Sequence, residues 1–261
     1  MNTVVADQGT WPKLRVTGAD RERFLQGMLT NDVAKLPAGG WLRAAILNVK
    51  GRVVALVDAV REEEAFLLLA EPACASKAWD VLAKHAIIDD VTFTPVDSPA
   101  HRVWPDPDSV WTAPPIFSPP ASPSSDEEVE IRRVEAGLPR YGLDVSEDYF
   151  PFEANLESAI SMTKGCYVGQ EVVARAHARG HANKRLAGIA LAGDGPIAPG
   201  APVSSAARPD AGTITSSVVS PIFGPIALAY LHKSSWDPGT PLTIGDRTGV
   251  VRDVPMKISS S

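Results

Sequence analysis

The sequence predicts an α+β region followed by a small all-β unit. Between residues 14 and 93, short strand-like runs and helical segments follow one another, and this order favours helices packed against a largely antiparallel sheet. From Leu186 onwards, strand-like runs are separated by glycine and proline, which is typical of a small barrel or sandwich. The length of 261 residues exceeds that of most single domains, so we expect two packed units.

The first predicted elements are a strand and a helix. Leu14–Val16 alternates like a short strand, and Asp20 is placed to cap the helix that follows it. This helix ends near residues 30–32, where Asn31 and its neighbour are typical of a turn. Its apolar face is formed by Phe24, Leu25, Met28 and Leu29.

A three-stranded meander and a second helix come next. Leu42–Asn48 and Arg52–Val60 form a predicted hairpin, and a turn at 62–64 leads to a third strand, Ala65–Ala70. A helix opens at Pro72 and reaches about His85. Its inner face is formed by Ala75, Ala78, Trp79 and Leu82. Strand is expected again at Ile87-Ile88 and Val91–Phe93.

The middle of the chain is less regular. Prolines interrupt any regular element across residues 95–125, and residues 118–125 are predicted to form a loose loop. We expect Trp104 and Trp111 to attach part of this segment to the body of the protein. Order resumes at Glu130, and Phe152–Ile160 is predicted to be helical.

The all-β unit contains five predicted strands and one clear hairpin turn. Gly245-Asp246 suits a two-residue turn between the fourth and fifth strands. We place the boundary near 183–186, which divides the chain into residues 1–184 and residues 185–261. The five strands are Leu186–Leu191, Thr213–Val219, Ile226–Leu231, Leu242–Ile244 and Gly249–Val251.

Composition excludes several classes of function. The formal charge of -6 and a pI of about 5.4 argue against a mainly electrostatic grip on nucleic acid or on an anionic membrane. Two cysteines, Cys74 and Cys166, are too few for a four-thiolate iron–sulfur cluster or a disulfide framework. The start of the sequence shows no secretory signal, and no apolar run is long enough to span a bilayer, so we expect a cytoplasmic protein.

One octet of the sequence combines a cysteine with two glycines and a lysine. A thiol just ahead of a helix start feels the positive end of the helix dipole, and Lys164 adds a second positive charge; both favour the thiolate of Cys166. The alternative is a small buried cysteine in an ordinary turn, and both interpretations stay open at this point. The octet is Lys164-Gly165-Cys166-Tyr167-Val168-Gly169-Gln170-Glu171.

Two further features are candidates for ligand contacts. Glu135 precedes a glycine turn, with Tyr141 six residues on, so a carboxylate and an aromatic ring are available for a flat heterocycle; a solvent-facing glutamate and a packed tyrosine are the alternative. A basic stretch after the octet is either a set of solvated charges or an anion-binding patch. Its members are Arg175, His177, Arg179, His181, Lys184 and Arg185, of which the four arginine and lysine side chains are the candidate anion ligands.

The octet resembles the signature of the YgfZ-type folate-binding proteins, relatives of the T-protein (aminomethyltransferase) of the glycine cleavage system. Residues 95–125 match nothing in that family. Three other blocks are similar to blocks of the wider superfamily, namely Phe24–Val33, Glu135–Gly142, and Ser220-Pro221 followed by Ile226–Leu231.

The resemblance implies two N-terminal α+β subdomains and a C-terminal antiparallel β-barrel around an opening of tetrahydrofolate size. It implies tetrahydrofolate or a derivative as ligand, no permanently bound metal, and iron–sulfur client or assembly proteins as partners. The implied role is the assembly or repair of iron–sulfur enzymes, linked to tRNA modification through one of them.

The resemblance also assigns roles to individual positions. Glu135 would meet the pterin ring, and Cys166 would be the functionally required thiol. Tyr141 and Asn31 are further candidates for lining the opening. The remaining motif residues would be Lys164, Gly165, Tyr167, Gly169, Gln170 and Glu171.

One departure from the T-protein bears on the reaction. Where the T-protein has two aspartates, one of which supports aminomethyl transfer, this sequence has Ala55 and Leu56, which cannot relay a proton. Asp58 lies about 10 Å further along the strand and on its opposite face. We therefore expect an accessory protein, with a folate-dependent one-carbon transferase as the alternative and a tRNA-contacting factor as the least favoured hypothesis.

Overall fold

The structure is a computed structural model that describes residues 3–178 and 182–257. Within these ranges, no helix is long and apolar enough to cross a membrane. The helices are α1 (Arg21–Met28), α2 (Pro72–His85), α3 (Asp126–Glu135) and α4 (Gln170–Ala178), and short 3-10 turns lie at Val33–Lys35, Pro107–Trp111, Pro151–Ala154 and Glu157–Ala159. The strands are β1 (Val4–Asp7), β2 (Lys13–Thr17), β3 (Trp41–Leu47), β4 (Val53–Arg61), β5 (Phe66–Ala70), β6 (Thr92–Val96), β7 (His101–Trp104), β8 (Lys184–Leu191), β9 (Pro202–Ser205), β10 (Arg208–Ser220), β11 (Gly224–His232), β12 (Pro241–Ile244) and β13 (Arg247–Arg252).

The N-terminal sheet has five antiparallel strands in the order β3-β4-β5-β2-β6. The predicted hairpin and meander are confirmed, because β3 pairs with β4 and β4 with β5. The apolar run of β4 is buried from Val53 to Ala59, since the sheet is covered on both faces. Helix α2 spans the predicted residues and packs against β4, with Ala75, Ala78 and Leu82 buried.

Two predictions are wrong around the turn between α2 and β6, which contacts the start of α1. Ile87 and Ile88 are not strand residues, and their side chains are 83% and 89% exposed. Asp20 precedes α1 without a capping hydrogen bond from its side chain, because its carboxylate accepts from the backbone N–H of Asp90 at 2.9 Å. The Asp20 carboxylate therefore binds the turn at Asp89-Asp90 instead of capping α1. The two isoleucines precede this turn and lie outside the sheet.

The proline-rich segment is more ordered than the sequence suggested. Strand β6 continues through Pro95, which an edge strand tolerates because no ladder hydrogen bond is needed on its outer side. Strand β7 pairs with β1 in a separate two-stranded sheet, where Val4 faces Trp104. Trp104 is buried against α3's end at Ala136, which confirms that it attaches this segment to the body. The side chain of Trp111 lies outside the described residues.

The prediction of a single helix over residues 152–160 is wrong. The chain forms two 3-10 turns, Pro151–Ala154 and Glu157–Ala159. Asn155 separates them with a φ of 55°, a left-handed conformation that an α-helix cannot include. The chain thus changes direction before it reaches the octet.

The all-β unit is a closed six-stranded barrel in the order β10-β11-β8-β13-β12-β9. The five predicted strands and the Gly245-Asp246 turn are confirmed, and the unpredicted β9 closes the barrel between β10 and β12. Along β8 and β11, alternate side chains fill the barrel or face the N-terminal core. The side chains of Leu186, Leu228 and Tyr230 face the N-terminal core, so the two units share one apolar core. The division at residue 184 stays a prediction.

Candidate functional site

The first six residues of the octet, 164–169, lie in the loop between the turn at Glu157–Ala159 and α4, and its last two residues begin α4. Gly165 and Cys166 are exposed, and Lys164 and Tyr167 on either side of this pair are buried. Tyr167 is buried in the main core. The backbone N–H of Val168 donates to Gly27 O at 3.1 Å, which fixes the loop to the end of α1. The loop is therefore a rigid support for one accessible sulfur atom.

Lys164 is directed inward, away from solvent. Its Nζ donates to Gln26 O at 2.7 Å, to Leu29 O at 2.6 Å and to Asn31 O at 2.8 Å. These carbonyls lie at the C-terminal end of α1, where a positive charge is favourable. Burial lowers the pKa of this ammonium to about 8. The lysine thus holds the octet against α1, and priming of the thiol by its charge stays a prediction.

The two glycines of the octet have different roles. Gly169 has a φ of +82°, and a Cβ there would lie 2.6 Å from Asn48 O in the β3–β4 turn. In that turn, a Cβ on Gly51 would lie 3.2 Å from Val173. A Cβ on Gly165 would meet nothing within 4 Å. Gly169 is therefore required for packing the loop onto the turn, whereas Gly165 is not.

The two cysteines occupy opposite environments. Both are free thiols, but Cys74 is fully buried under β4 and Cys166 is exposed. Burial raises the pKa of the Cys74 thiol to about 11, which keeps it protonated and unreactive at neutral pH. The sequence left open which interpretation applied to Cys166, and its exposure excludes the buried apolar role.

Glu135 lies at the C-terminal end of α3, where it is 2% exposed. Its Oε1 accepts from the Ser220 hydroxyl at 2.6 Å, and its Oε2 lies 3.7 Å from Arg132 Nε. The backbone carbonyl of Glu135 accepts from the Met256 N–H at 2.7 Å. The carboxylate is therefore held in one orientation by the barrel turn and by its own helix.

Tyr141 and Asn31 are bound to different neighbours. The backbone N–H of Tyr141 donates to Glu71 Oε2 at 2.9 Å, and its hydroxyl is buried without a hydrogen-bond partner in the part of the chain described. Asn31 Nδ2 donates to Arg43 O at 2.8 Å and to Ser158 O at 3.1 Å. Both side chains tie elements together, and their contact with a ligand stays a prediction.

Two cavities flank residues 252–255, which begin at the last residue of β13. The larger, about 800 Å³, has a mixed lining in which Phe223, Ile226 and Met256 are apolar and Arg252, Asp253 and Lys257 are charged. The smaller, about 370 Å³, is lined on its other side by residues that include Gly137 and Arg185. Nothing in the local sequence pattern indicates that this segment lines cavities, because only the fold brings it next to α3.

Comparison with known proteins agrees with this architecture. The family model described as the GCVT N-terminal domain matches residues 2–103, and the glycine cleavage T-protein C-terminal barrel domain matches residues 184–261. An uncharacterized protein of Haemophilus influenzae is 35% identical, over 66% of this chain and 68% of that protein.

The chain belongs to the YgfZ/GcvT family.

Two further proteins and one solved structure are also similar to this chain. The tRNA-modifying protein YgfZ of Escherichia fergusonii is 26% identical over 67% of this chain and 68% of its own length. A putative chloroplastic transferase of Arabidopsis thaliana is 31% identical over 65% of this chain, which spans 38% of that protein. The glycine cleavage system aminomethyltransferase T of Bartonella henselae shares the fold, with a TM-score of 0.86, 18% identity, and coverage of 97% of this chain and 86% of that one.

This YgfZ/GcvT member has no free carboxylate at the β4 position discussed above. Ala55 and Leu56 are buried in the sheet. Asp58 is 1% exposed; it accepts from Arg43 Nε at 3.0 Å and from the Arg102 guanidinium at 2.7 Å. Burial opposes ionisation of Asp58, but the attraction of Arg102 and Arg43 outweighs it and lowers the pKa of this carboxyl. An aspartate held in this way is a poor proton acceptor.

The described basic residues after the octet contact different side chains. Arg175 forms an ion pair with Glu171 on α4. The ammonium of Lys184 lies 4.1 Å from the centroid of the Tyr149 ring, and the Arg185 guanidinium lies 5.1 Å from that of Trp236. Arg179 and His181 lie outside the described residues, as does the side chain of His177. A shared anion patch therefore stays a prediction.

Proposed function

We propose that this chain is a folate-binding accessory protein that supports the assembly or repair of iron–sulfur proteins through Cys166. The observation that supports the proposal is the exposure of this thiol on a loop in which Lys164 and Tyr167 are buried. Relatives are named tRNA-modifying protein YgfZ, which agrees with the implied link to tRNA modification through an iron–sulfur enzyme. Two cysteines are too few for the chain to hold a four-thiolate cluster of its own.

The residues around Glu135 suit a flat heterocycle. The carboxylate would accept from pterin N–H groups, with Ser220 holding it in orientation through the 2.6 Å hydrogen bond. The neighbouring cavities of about 800 and 370 Å³ fall in the range of small-molecule sites, which is roughly 300–1,000 Å³. When bound, tetrahydrofolate would supply a one-carbon carrier, and the residues of the chain would bind and orient it.

Cys166 is suited to meeting another protein. Its sulfur lies at the outer tip of the loop, whereas the Glu135 carboxylate is buried at the junction of α3 with the barrel. Lys164, Tyr167 and Gly169 hold the loop in shape before a partner arrives, which reduces the entropy lost on binding. We infer that the thiol contacts a cluster, a persulfide or a thiol carried by an iron–sulfur protein.

The test is complementation of a strain that lacks the gene. Loss of the gene should lower the activity of some cluster-dependent enzymes, and wild-type protein should restore it. Cys166→Ala should fail, whereas Met162→Ala, an exposed residue of the same loop, should restore activity. Thermal unfolding checks that both variants are folded. Full restoration by Cys166→Ala would remove this thiol from the mechanism.

A one-carbon transferase is the second candidate, because the fold is shared with an aminomethyltransferase and one relative is named a putative transferase. Ala55, Leu56 and the ion-paired Asp58 argue against it, since no proton acceptor is available on this part of β4. Purified protein can be assayed with tetrahydrofolate and an aminomethylated lipoyl carrier. Turnover at enzymatic rates would overturn the accessory role.

A further inference from the structure

Residues 252–257, which begin at the last residue of β13, cross between the end of α3 and the outer face of the barrel; we refer to them as the strap. Met256 is 4% exposed and belongs to the main core, although it lies in an irregular segment. Its N–H donates to Glu135 O at 2.7 Å. The strap therefore lies directly on the residue proposed to bind the heterocycle.

The strap separates two cavities. The cavities of about 800 and 370 Å³ have Arg252, Asp253, Val254 and Pro255 in common, so these residues form the wall between them. The far side of the larger cavity is formed by the barrel, and that of the smaller includes the Gly137 turn after α3. Moving this wall would join both cavities into one cleft beside Ala136 and Gly137, the two residues that follow Glu135.

Two glycines make room for the strap. A Cβ on Gly137 would lie 2.4 Å from Val254 Cβ, and a Cβ on Gly188 would lie 2.8 Å from Val254 Cγ1 and 2.9 Å from Met256 Cε. Without side chains at these positions, the apolar groups of the strap pack directly on the backbone. This apolar contact holds the strap against the end of α3 and β8.

The polar attachments of the strap are weak by comparison. One backbone hydrogen bond joins Met256 to Glu135. The ion pair between Lys257 and Asp108 is 3.9 Å long and more than half exposed on both sides, so it contributes little. Arg252 and Asp253 are exposed. Segments held by few hydrogen bonds are among those that open locally, so the packing of Val254 and Met256 is the main contact that opening has to break.

We propose that the strap is a displaceable cover on the ligand cleft: it lifts to admit a flat heterocycle with a pterin-like edge of N–H donors. The proposal rests on the proposed folate binding for the identity of the ligand. The Glu135 carboxylate is 2% exposed in this closed arrangement, and the strap bonds the backbone carbonyl of the same residue, so we assign the movement that uncovers the carboxylate to the strap. The closed strap lowers apparent affinity in proportion to the fraction of open molecules.

Opening is measured first without ligand, by hydrogen exchange at the Met256 amide. Gly188→Ala adds a methyl group that clashes with the strap, and overpacking of this kind shifts an equilibrium by roughly tenfold to a hundredfold. Gly249→Ala is the matched control, since its Cβ would lie 2.8 Å from Ile189 Cγ2 inside the barrel and away from the strap.

We expect the Met256 amide to exchange at least about tenfold faster in Gly188→Ala than in wild type or Gly249→Ala. Equal rates in all three proteins would show that the strap does not open locally and would overturn the proposal. So would an equal acceleration by both variants, which would indicate general loosening of the barrel.

Ligand access is measured next by calorimetric titration with 5-formyltetrahydrofolate. Met256→Ala removes the anchor without adding atoms to the cleft, so its affinity should rise about tenfold or more relative to wild type. Bound ligand should also accelerate exchange at the Met256 amide of the wild-type protein. Unchanged or weaker affinity in Met256→Ala would overturn the cover. Absence of binding in every protein would overturn the folate proposal, while the exchange comparison would still decide whether the strap opens.

Discussion

Replacing Asp58 by asparagine distinguishes a structural aspartate from a catalytic one. Asp58 bridges two guanidiniums, with Oδ1 3.0 Å from Arg43 Nε and Oδ2 2.7 Å from Arg102. Arg102 itself is 1% exposed and lies 5.1 Å from the centroid of the Trp41 ring. The neutral amide would leave two buried positive charges without their shared anion.

The expected loss of unfolding free energy follows from this geometry. Removing one partner of a buried ion pair typically costs about 3–5 kcal/mol, because the remaining charge is left uncompensated. Asp58 serves two such partners, so we expect Asp58→Asn to lie in the upper part of that range. A proton acceptor in an active site would show the opposite pattern, with activity lost and stability retained or increased.

The assay is urea unfolding followed by tryptophan fluorescence at neutral pH. Glu62→Gln is the control, because Glu62 forms an ion pair of 2.9 Å with Arg15 that is more than one third exposed on both sides. Exposed pairs of this kind contribute about 0–1 kcal/mol. If Asp58→Asn loses no more stability than Glu62→Gln, the structural interpretation of Asp58 is refuted and a catalytic role becomes tenable again.

The pH dependence gives a second measurement on the same variant. Burial would raise the pKa of Asp58, but Arg102 and Arg43 lower it below the ordinary 3.8. Its contribution to stability is therefore present above about pH 4 and is lost as the pH falls through the lower folded-state pKa. The stability difference between wild type and Asp58→Asn should narrow below pH 4, and a constant difference would contradict this.

Three further predictions concern the octet. Gly169→Ala should lose about 2 kcal/mol or more of unfolding free energy, because it combines a positive φ with a contact of 2.6 Å, whereas Gly165→Ala should change it by less than about 0.5 kcal/mol; urea unfolding that ranks them equally would contradict the packing argument. Lys164→Met should lose about 2–4 kcal/mol, because it leaves three carbonyls without their donor, and faster hydrogen exchange at the end of α1 should accompany the loss. Cys166 should react with an aromatic disulfide reagent in the native protein and Cys74 only after unfolding, as its burial and a pKa of about 11 require; two rapidly reacting thiols would be inconsistent with the fold.

Much of the architecture was predictable because it depends on local patterns. The run from Leu42 to Ala70 consists of extended apolar segments separated by turn residues, as in a meander, and α2 begins at Pro72 and ends at His85 as its periodicity and its first-turn proline indicate. Strand β9 was missed because Pro202–Ser205 is short, with only Val203 fully buried. Its pairing with β10 and β12, which closes the barrel, depends on partners distant in sequence.

The environment of the site residues depended on the fold as a whole. Residue type and order located Cys166 and Glu135, since a cysteine between glycines and a glutamate before a glycine turn are visible in one line of sequence. The sequence did not indicate that the Lys164 ammonium binds the end of α1, 133 or more residues away along the chain. Hydrogen bonds over such separations form only when the core brings the segments together.

The sequence by itself determined the family, the order of the elements and the absence of a carboxylate at Ala55 and Leu56, because each depends only on residue identity and local spacing. Only the tertiary structure decided that Cys166 is exposed while Cys74 is inert, that Asp58 is neutralised by two arginines, and that the strap lies on Glu135. Burial and ion pairing are properties of the packed chain, since they arise from which distant segments exclude water from one another.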